Sequence, residues 1–157
     1  MVLVLVVAAL SAVNSAILSG AMTDESTALA ARIKRATSGL VYQSETDAPV
    51  KPFRVDGFTG DALSSEALLE RLGREPSTPV TTVAFDEFFA DLTADQDWYG
   101  DEERDMAKRY RRLVRVLERA LADLRVFKVG EREVDLFVVG RTPGGVFMGV
   151  ATKAVET

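Results

Sequence analysis

The stretch of residues 102–124 constrains the fold most, because its apolar residues recur at helical spacing over an unusually long segment. Steps of four, three, four and four residues separate them, which places all five on one face of an α-helix. They are Met106, Tyr110, Leu113, Leu117 and Leu121. The remaining positions carry mainly charged side chains. The pattern therefore predicts one long amphipathic helix with a buried face.

The segments after this helix are rich in β-branched and aromatic residues and predict three strands, at 126–129, 134–139 and 146–155. A Thr-Pro-Gly-Gly sequence at 142–145 joins the last two, and Pro followed by Gly is typical of a tight turn. Together with at least two earlier strands, and with helices on both sides of those in sequence, these three strands indicate an α+β layered domain.

The first half of the chain predicts shorter elements of both kinds. Expected helices cover 26–36, with Ser26 or Thr27 as the N-cap, then 64–72, capped by Ser64 or Ser65, and a brief helix capped by Asp86. Expected strands cover 40–44, 51–56 and 80–83. A length of 157 residues with 47% hydrophobic residues suits one globular domain. We therefore predict a single layered α+β domain.

The composition excludes many kinds of catalysis. The chain has no histidine and no cysteine, so the usual zinc ligands, the Ser-His and Cys-His nucleophile pairs and the commonest general base are absent. A carboxylate site around Mg²⁺ is the remaining enzymatic alternative. The net charge of −5 is unsuited to duplex binding, which depends on Lys and Arg. It suits a partner with a basic surface.

A dense acidic and aromatic segment at 95–103 surrounds the single tryptophan, Trp98, with five carboxylates. Charge at this density keeps the segment in water. The acids at 101–103 are most simply the first turn of the long helix, where they favour the positive end of the helix dipole. Trp98 itself is either an exposed contact residue or a core residue, and the sequence leaves both alternatives open.

Residues 1–21 form an uncharged leader that we separate from the domain at 22–157. Apolar residues followed by Ser19-Gly20-Ala21 resemble a secretory signal, but the usual positive start is missing. Met22 is an alternative true start, and a membrane anchor is a third interpretation. We expect a cytoplasmic protein if Met22 is the start and a periplasmic or secreted one otherwise. No membrane association is expected unless the leader is retained.

A set of short motifs occurs in the order and spacing of one known family. The set comprises Ser38-Gly39-Leu40, Ser44-Glu45, Asp86 with Phe88-Phe89, Gln96-Asp97-Trp98-Tyr99, Asp101-Glu102-Glu103, Gly140 with Thr142-Pro143, and Val155-Glu156-Thr157. From Met22 to Thr157 the chain resembles the nuclease A inhibitor family. The resemblance implies a bacterial, non-enzymatic protein without a cofactor, folded as an α-β-α sandwich similar to the pathogenesis-related-1-like fold.

The resemblance also implies a partner and a binding site. The partner would be a secreted, non-specific, Mg²⁺-dependent DNA/RNA endonuclease of the ββα-metal class, bound one to one. Glu45 and Thr157 match residues directed at the partner's metal, while Gln96, Asp97 and Trp98 match its contact surface. Gly100 departs from the family, which tends to carry another acid there. From the residues alone, Glu45 is equally a solvated loop acid.

The basic residues of the long helix, within 108–119, suggest a second function. They are Lys108, Arg109, Arg111, Arg112, Arg115 and Arg119. A nucleic-acid-binding module could use such a face, but so could a helix that simply stays in solvent. The basic face shows no aromatic or glycine interleaving of the kind typical of single-strand binders, since Tyr110 belongs to the apolar face. The solvated face is therefore the preferred interpretation.

Overall fold

The computed structural model of this protein describes residues 24–156. The leader at 1–21 and the proposed metal-directed Thr157 therefore lie outside the described residues. No helix within 24–156 is both long and apolar enough to cross a membrane. The helices are α1 (Asp24–Thr37), α2 (Ser65–Leu72), α3 (Phe85–Thr93) and α4 (Asp101–Ala120). The strands are β1 (Val41–Tyr42), β2 (Ala48–Pro49), β3 (Lys51–Thr59), β4 (Val80–Ala84), β5 (Ala122–Val129), β6 (Glu133–Arg141) and β7 (Val146–Val155).

Five strands form one antiparallel sheet in the order β3-β7-β6-β5-β4. The turn between β6 and β7 is the expected Thr-Pro-Gly-Gly turn, in which the Gly145 N–H donates to the Thr142 carbonyl at 2.9 Å. Strands β1 and β2 form a separate antiparallel hairpin. This hairpin contacts β7, which matters for the site described below.

Helices cover both faces of the sheet. Alternate residues of the central strands point to opposite faces, so each strand contributes side chains to both hydrophobic layers. On one face, Val126 and Val138 pack with residues of α1, α3 and α4. On the other face, Phe127 and Val139 pack with Leu68 and other residues around α2. The predicted α+β class is confirmed. The more specific likeness to the pathogenesis-related-1-like fold stays a prediction.

The long helix was predicted to reach residue 124, and this boundary is wrong. Helix α4 ends at Ala120, and Leu121 has an extended backbone with ψ of 139°. Ala122 already pairs with Arg141 on β6. Leu121 is nevertheless buried in the core formed by the helices, so its side chain keeps the helical period although its backbone has entered the strand. Sheet pairing has overridden local periodicity here.

Several smaller boundaries and caps also differ from the predictions. Helix α1 begins at Asp24, so neither Ser26 nor Thr27 is its N-cap. Ala84 is the N-cap of α3, and Asp86 lies in the first turn instead of capping it. Strand β1 has only two residues, and β3 extends to Thr59. Ser64 does cap α2, since its side chain accepts the Ala67 N–H at 3.1 Å.

Candidate functional site

Glu45 lies on the short loop that joins β1 to β2, and its side chain is exposed. The neighbouring Ser44 shapes this loop. Its hydroxyl donates to the Thr46 carbonyl at 2.8 Å and accepts the Thr46 N–H at 3.3 Å. A side chain that bonds a residue two positions on stabilises a turn. The local sequence thus presents Glu45 to solvent on a closed turn.

The hairpin that carries Glu45 is anchored to the helical layer. The Tyr110 hydroxyl of α4 donates to the Val41 carbonyl at 2.7 Å, and the Tyr42 ring stacks on Phe88 of α3 with centroids 5.8 Å apart. On the other side of the loop, the Thr152 hydroxyl of β7 donates to the Pro49 carbonyl at 3.0 Å. These contacts fix the loop from three elements.

The same hairpin holds the end of β7. The Val155 N–H donates to the Ser44 hydroxyl oxygen at 3.1 Å, so the residue next to Glu45 is bonded directly to the last residue of β7. The following Glu156 N–H donates to the Arg132 carbonyl at 2.8 Å. Thr157 follows Glu156 in the sequence but lies outside the described residues. The Glu45 loop and the Val155–Glu156 segment are therefore adjacent.

An ion pair also fixes Glu156, whose carboxylate lies 2.7 Å from the Lys128 ammonium on β5. Tyr42 lies near both groups, and their charges affect the pKa of its phenol. Burial raises the pKa of Tyr42, the Lys128 ammonium opposes that rise, and the Glu156 carboxylate adds to it. Burial also raises the pKa of Tyr110, with a smaller contribution from Tyr42. Both phenols therefore stay neutral near pH 7.

Trp98 is the large hydrophobic residue that the described part of the chain leaves exposed, with 75% of its surface accessible. This decides between the two alternatives left open by the sequence: Trp98 is not a core residue. Gln96 and Asp97 beside it are also exposed. The Tyr99 N–H closes the turn by donating to the Gln96 carbonyl at 3.1 Å, and the Tyr99 ring contacts Trp98 edge to face.

Helix α4 begins directly after this loop, at Asp101, as the acidic first turn predicted. The Glu103 carboxylate accepts the Gly100 N–H at 3.1 Å, which satisfies one amide outside the helix start. Glycine cannot supply the reciprocal side-chain bond of a full capping box. Gly100 thus serves as a helix cap without a charged side chain.

The Trp98 loop and the Glu45 hairpin border one groove of about 310 Å³. Its lining includes apolar side chains and the acidic residues Asp91, Glu102 and Glu103. Gln43, two residues before Glu45, also lines it. The groove is lined by Val41, Gln43, Asp91, Leu92, Trp98, Tyr99, Glu102, Glu103, Met106, Ala107 and Tyr110. The fold thus brings two of the predicted site regions to the same part of the surface.

The six basic residues of α4 within 108–119 divide into two groups. Arg109 pairs with Asp105 at 2.9 Å and also donates to the Ser38 carbonyl, and Arg111 donates to the Thr93 carbonyl at 2.9 Å. These two are structural. The other four are exposed and form no ion pair with any described residue. We call them the basic stripe: Lys108, Arg112, Arg115 and Arg119.

Sequence reasoning gave no role to several residues that position the site. Ser44 was recognised only as part of a motif, Tyr110 only as core, and Lys128 only as part of a strand. A lysine at 128 within an otherwise apolar strand was the available signal for an ion pair. Within residues 24–156, no group of three or more Asp and Glu side chains is arranged to hold a metal.

Comparison with protein families gives one match. The model of the family described as nuclease A inhibitor-like protein matches residues 27–157, which includes the Glu45 loop, the Trp98 loop and the end of the sequence. Among curated proteins, none matches this chain significantly.

Proposed function

This chain belongs to the nuclease A inhibitor-like family, and on that basis we propose that it inhibits a non-specific, Mg²⁺-dependent DNA/RNA endonuclease. The proposed complex is one to one, and the partner is a nuclease of the ββα-metal class. The observation that carries the proposal is the Ser44–Val155 hydrogen bond. It joins the loop of the exposed Glu45 to the segment that leads into Thr157.

We propose that the inhibitor plugs the active site with oxygen ligands. The carboxylate of Glu45 and the terminal carboxylate and hydroxyl of Thr157 would take the places of substrate phosphate oxygens. Mg²⁺ in the partner is a hard cation that prefers such oxygen ligands, directly or through its bound waters. The metal belongs to the nuclease, and the inhibitor contributes only acceptors. Its own chain therefore has no catalytic step to perform.

The exposed loop around Trp98 would supply the supporting contact surface. Large aromatic side chains that become buried in an interface commonly dominate its binding energy. Gln96 and Asp97 flank Trp98 on the same exposed turn, so they would contribute polar contacts at its edge. The acids around this loop also complement a basic nuclease cleft, which accelerates association at low salt.

A titration of this protein into a ββα-metal nuclease tests the proposal. Digestion of plasmid DNA and of RNA should both stop at one equivalent of inhibitor, because one site serves both substrates. Glu118→Gln is a suitable control variant, since Glu118 is exposed near the other end of α4. Undiminished digestion by several such nucleases at large molar excess would contradict the proposal.

Nucleic-acid binding is the second candidate function, and the basic stripe is the observation that favours it. Four cations without ionic partners among the described residues could neutralise phosphates. Binding of this kind falls steeply with salt, by roughly one power of the salt concentration per phosphate contact. A gel-shift titration of free DNA at two salt concentrations separates the functions: salt-sensitive binding without nuclease would support the stripe.

A further inference from the structure

Two hydrogen bonds and one ion pair hold the Val155–Glu156 segment at the end of β7. We propose that Ser44 and Lys128 are positioning residues that form a latch on this segment, fixing it beside the Glu45 loop before any partner arrives. The latch is defined by the bonds of Ser44 to Val155 and of Lys128 to Glu156. Its role in inhibition rests on the function proposed above, but its existence in the free protein does not.

Ser44 supplies an acceptor for a backbone N–H of β7 that has no strand partner in the sheet. Strand β3 pairs with β7 from Val146 only as far as Ala151, so the later amides of β7 on that edge have no strand partner. A buried or half-buried amide without an acceptor is costly. The Ser44 hydroxyl oxygen takes the Val155 N–H at 3.1 Å. The same hydroxyl closes the Thr46 turn, so one side chain couples the turn to the strand end.

Lys128 fixes the next residue from the opposite side. Glu156 is half-exposed, and a carboxylate in that position would otherwise sample several rotamers. Its backbone N–H is already held by the Arg132 carbonyl, and its carboxylate is held by Lys128 at 2.7 Å. Glu156 is thus constrained at both its backbone and its side chain. It is a structural acid, in contrast to the exposed Glu45.

The latch also gives Glu156 a different role from that proposed for Glu45. The Lys128 ammonium neutralises Glu156, so this carboxylate is not the one offered to a partner. The described segment beside the Glu45 loop ends at Glu156, and residue 157 follows it in the sequence. A chain segment that is already ordered loses less conformational freedom on binding. The latch therefore favours association by ordering the segment in advance.

Hydrogen exchange in the free protein tests the latch without any nuclease. In Ser44→Ala, the Val155 and Glu156 amides should exchange roughly threefold to tenfold faster than in the parent, relative to amides in the middle of β6, as expected for the loss of one hydrogen bond. Lys128→Met should accelerate Glu156 alone. Ser44→Thr keeps a hydroxyl and should restore protection. Unchanged exchange at Val155 in a folded Ser44→Ala protein would overturn the latch.

Ser64→Ala is the matched control, because Ser64 also accepts one backbone N–H, that of Ala67, at the start of α2. This variant should lose stability yet leave the Val155 and Glu156 amides unchanged relative to those of β6. Equal acceleration in Ser64→Ala and Ser44→Ala would overturn the latch, because general destabilisation would then explain both.

A double-mutant cycle tests whether the latch acts on inhibition. Ser44→Ala should raise the inhibition constant roughly threefold to tenfold in the full chain, but by no more than about twofold once Thr157 is deleted, because the latch then has nothing to position. Additive effects of the two changes would overturn the positioning role. If the parent inhibits no nuclease, the proposed function fails, while the exchange experiment still decides the latch.

Discussion

The Tyr110 hydroxyl donates a 2.7 Å hydrogen bond to the Val41 carbonyl, which joins α4 to the strand leading into the Glu45 loop. The same helix begins at Asp101, directly after the Trp98 loop. Helix α4 therefore fixes the two regions of the candidate site relative to each other. Tyr110 is 2% exposed, so the donor side of this bond lies inside the protein.

Replacing Tyr110 by phenylalanine should lower the free energy of unfolding by about 1 to 3 kcal/mol, because the Val41 carbonyl loses its donor. Urea denaturation of the parent and the variant measures this loss. Tyr99→Phe is the control, since the Tyr99 hydroxyl donates to no described residue, and it should unfold like the parent. Equal stability of Tyr110→Phe and the parent would mean that the bond contributes nothing.

Alkaline pH should destabilise the protein through the half-buried phenol of Tyr42 and the buried phenol of Tyr110. Burial raises the pKa values of Tyr42 and Tyr110 above the ordinary value of 10.0. The unfolded chain therefore releases these protons first, and their contribution is complete below pH 10.0 and declines as the pH rises further. Denaturation at a series of pH values from 8 to 11 should show a smaller decline in Tyr110→Phe than in the parent. Parallel curves would contradict this assignment.

Trp98→Ala should weaken nuclease binding by about 2 to 4 kcal/mol if the ring becomes buried in the complex. The melting temperature of the free protein should barely change, because the side chain is exposed. Phe89→Ala provides the contrast, since Phe89 is 4% exposed and its truncation should cost about 3 to 5 kcal/mol of stability. Calorimetric titration and thermal melting separate the two effects. Normal inhibition by Trp98→Ala would remove Trp98 from the site.

Changing the oxygens of Glu45 and Thr157 that we propose face the partner's metal should weaken inhibition without unfolding the protein. Glu45→Gln removes one charge from an exposed loop, and a tag added after Thr157 removes the terminal carboxylate while keeping the threonine side chain. Each change should cost about 2 to 5 kcal/mol of binding where the charge becomes buried against the partner's site. Inhibition constants measured with a fixed nuclease give the values.

An identical tag at the other end of the chain is the control for the extension, and Glu118→Gln is the control for the charge. Neither should alter inhibition. If the C-terminally tagged protein and Glu45→Gln both inhibit as well as the parent, the metal-directed plug is wrong. Occlusion by the surface around Trp98 would then have to explain any inhibition.

Local patterns predicted the parts of the fold that local physics determines. The apolar face of α4 was visible because Leu113 and Leu117 recur at helical spacing, and both are fully buried. The turn at Thr142–Gly145 was visible because Pro and Gly favour its backbone angles. Exposure of Glu45 also followed from its neighbours, since loop residues between short strands rarely pack.

Long-range pairing was not visible in the sequence. The end of α4 depends on Ala122 meeting Arg141 of β6, which no local period encodes. The bond between Ser44 and Val155 joins residues far apart in the chain, and a serine in a loop has many possible partners. The exposure of Trp98 depends on whether the core has space for its side chain. That can be known only once the helices and the sheet are packed together.

The place of β7 in the sheet has a consequence for biosynthesis. This strand, Val146–Val155, lies between β3 and β6. Among the described strands β7 is the one that pairs with β3 in the sheet, so β3 leaves the ribosome long before that partner exists. The backbone N–H and C=O groups of β3 that pair with β7 stay without this partner until β7 has been synthesised. A message truncated before Val146 therefore yields a chain that cannot complete its sheet and is open to proteolysis.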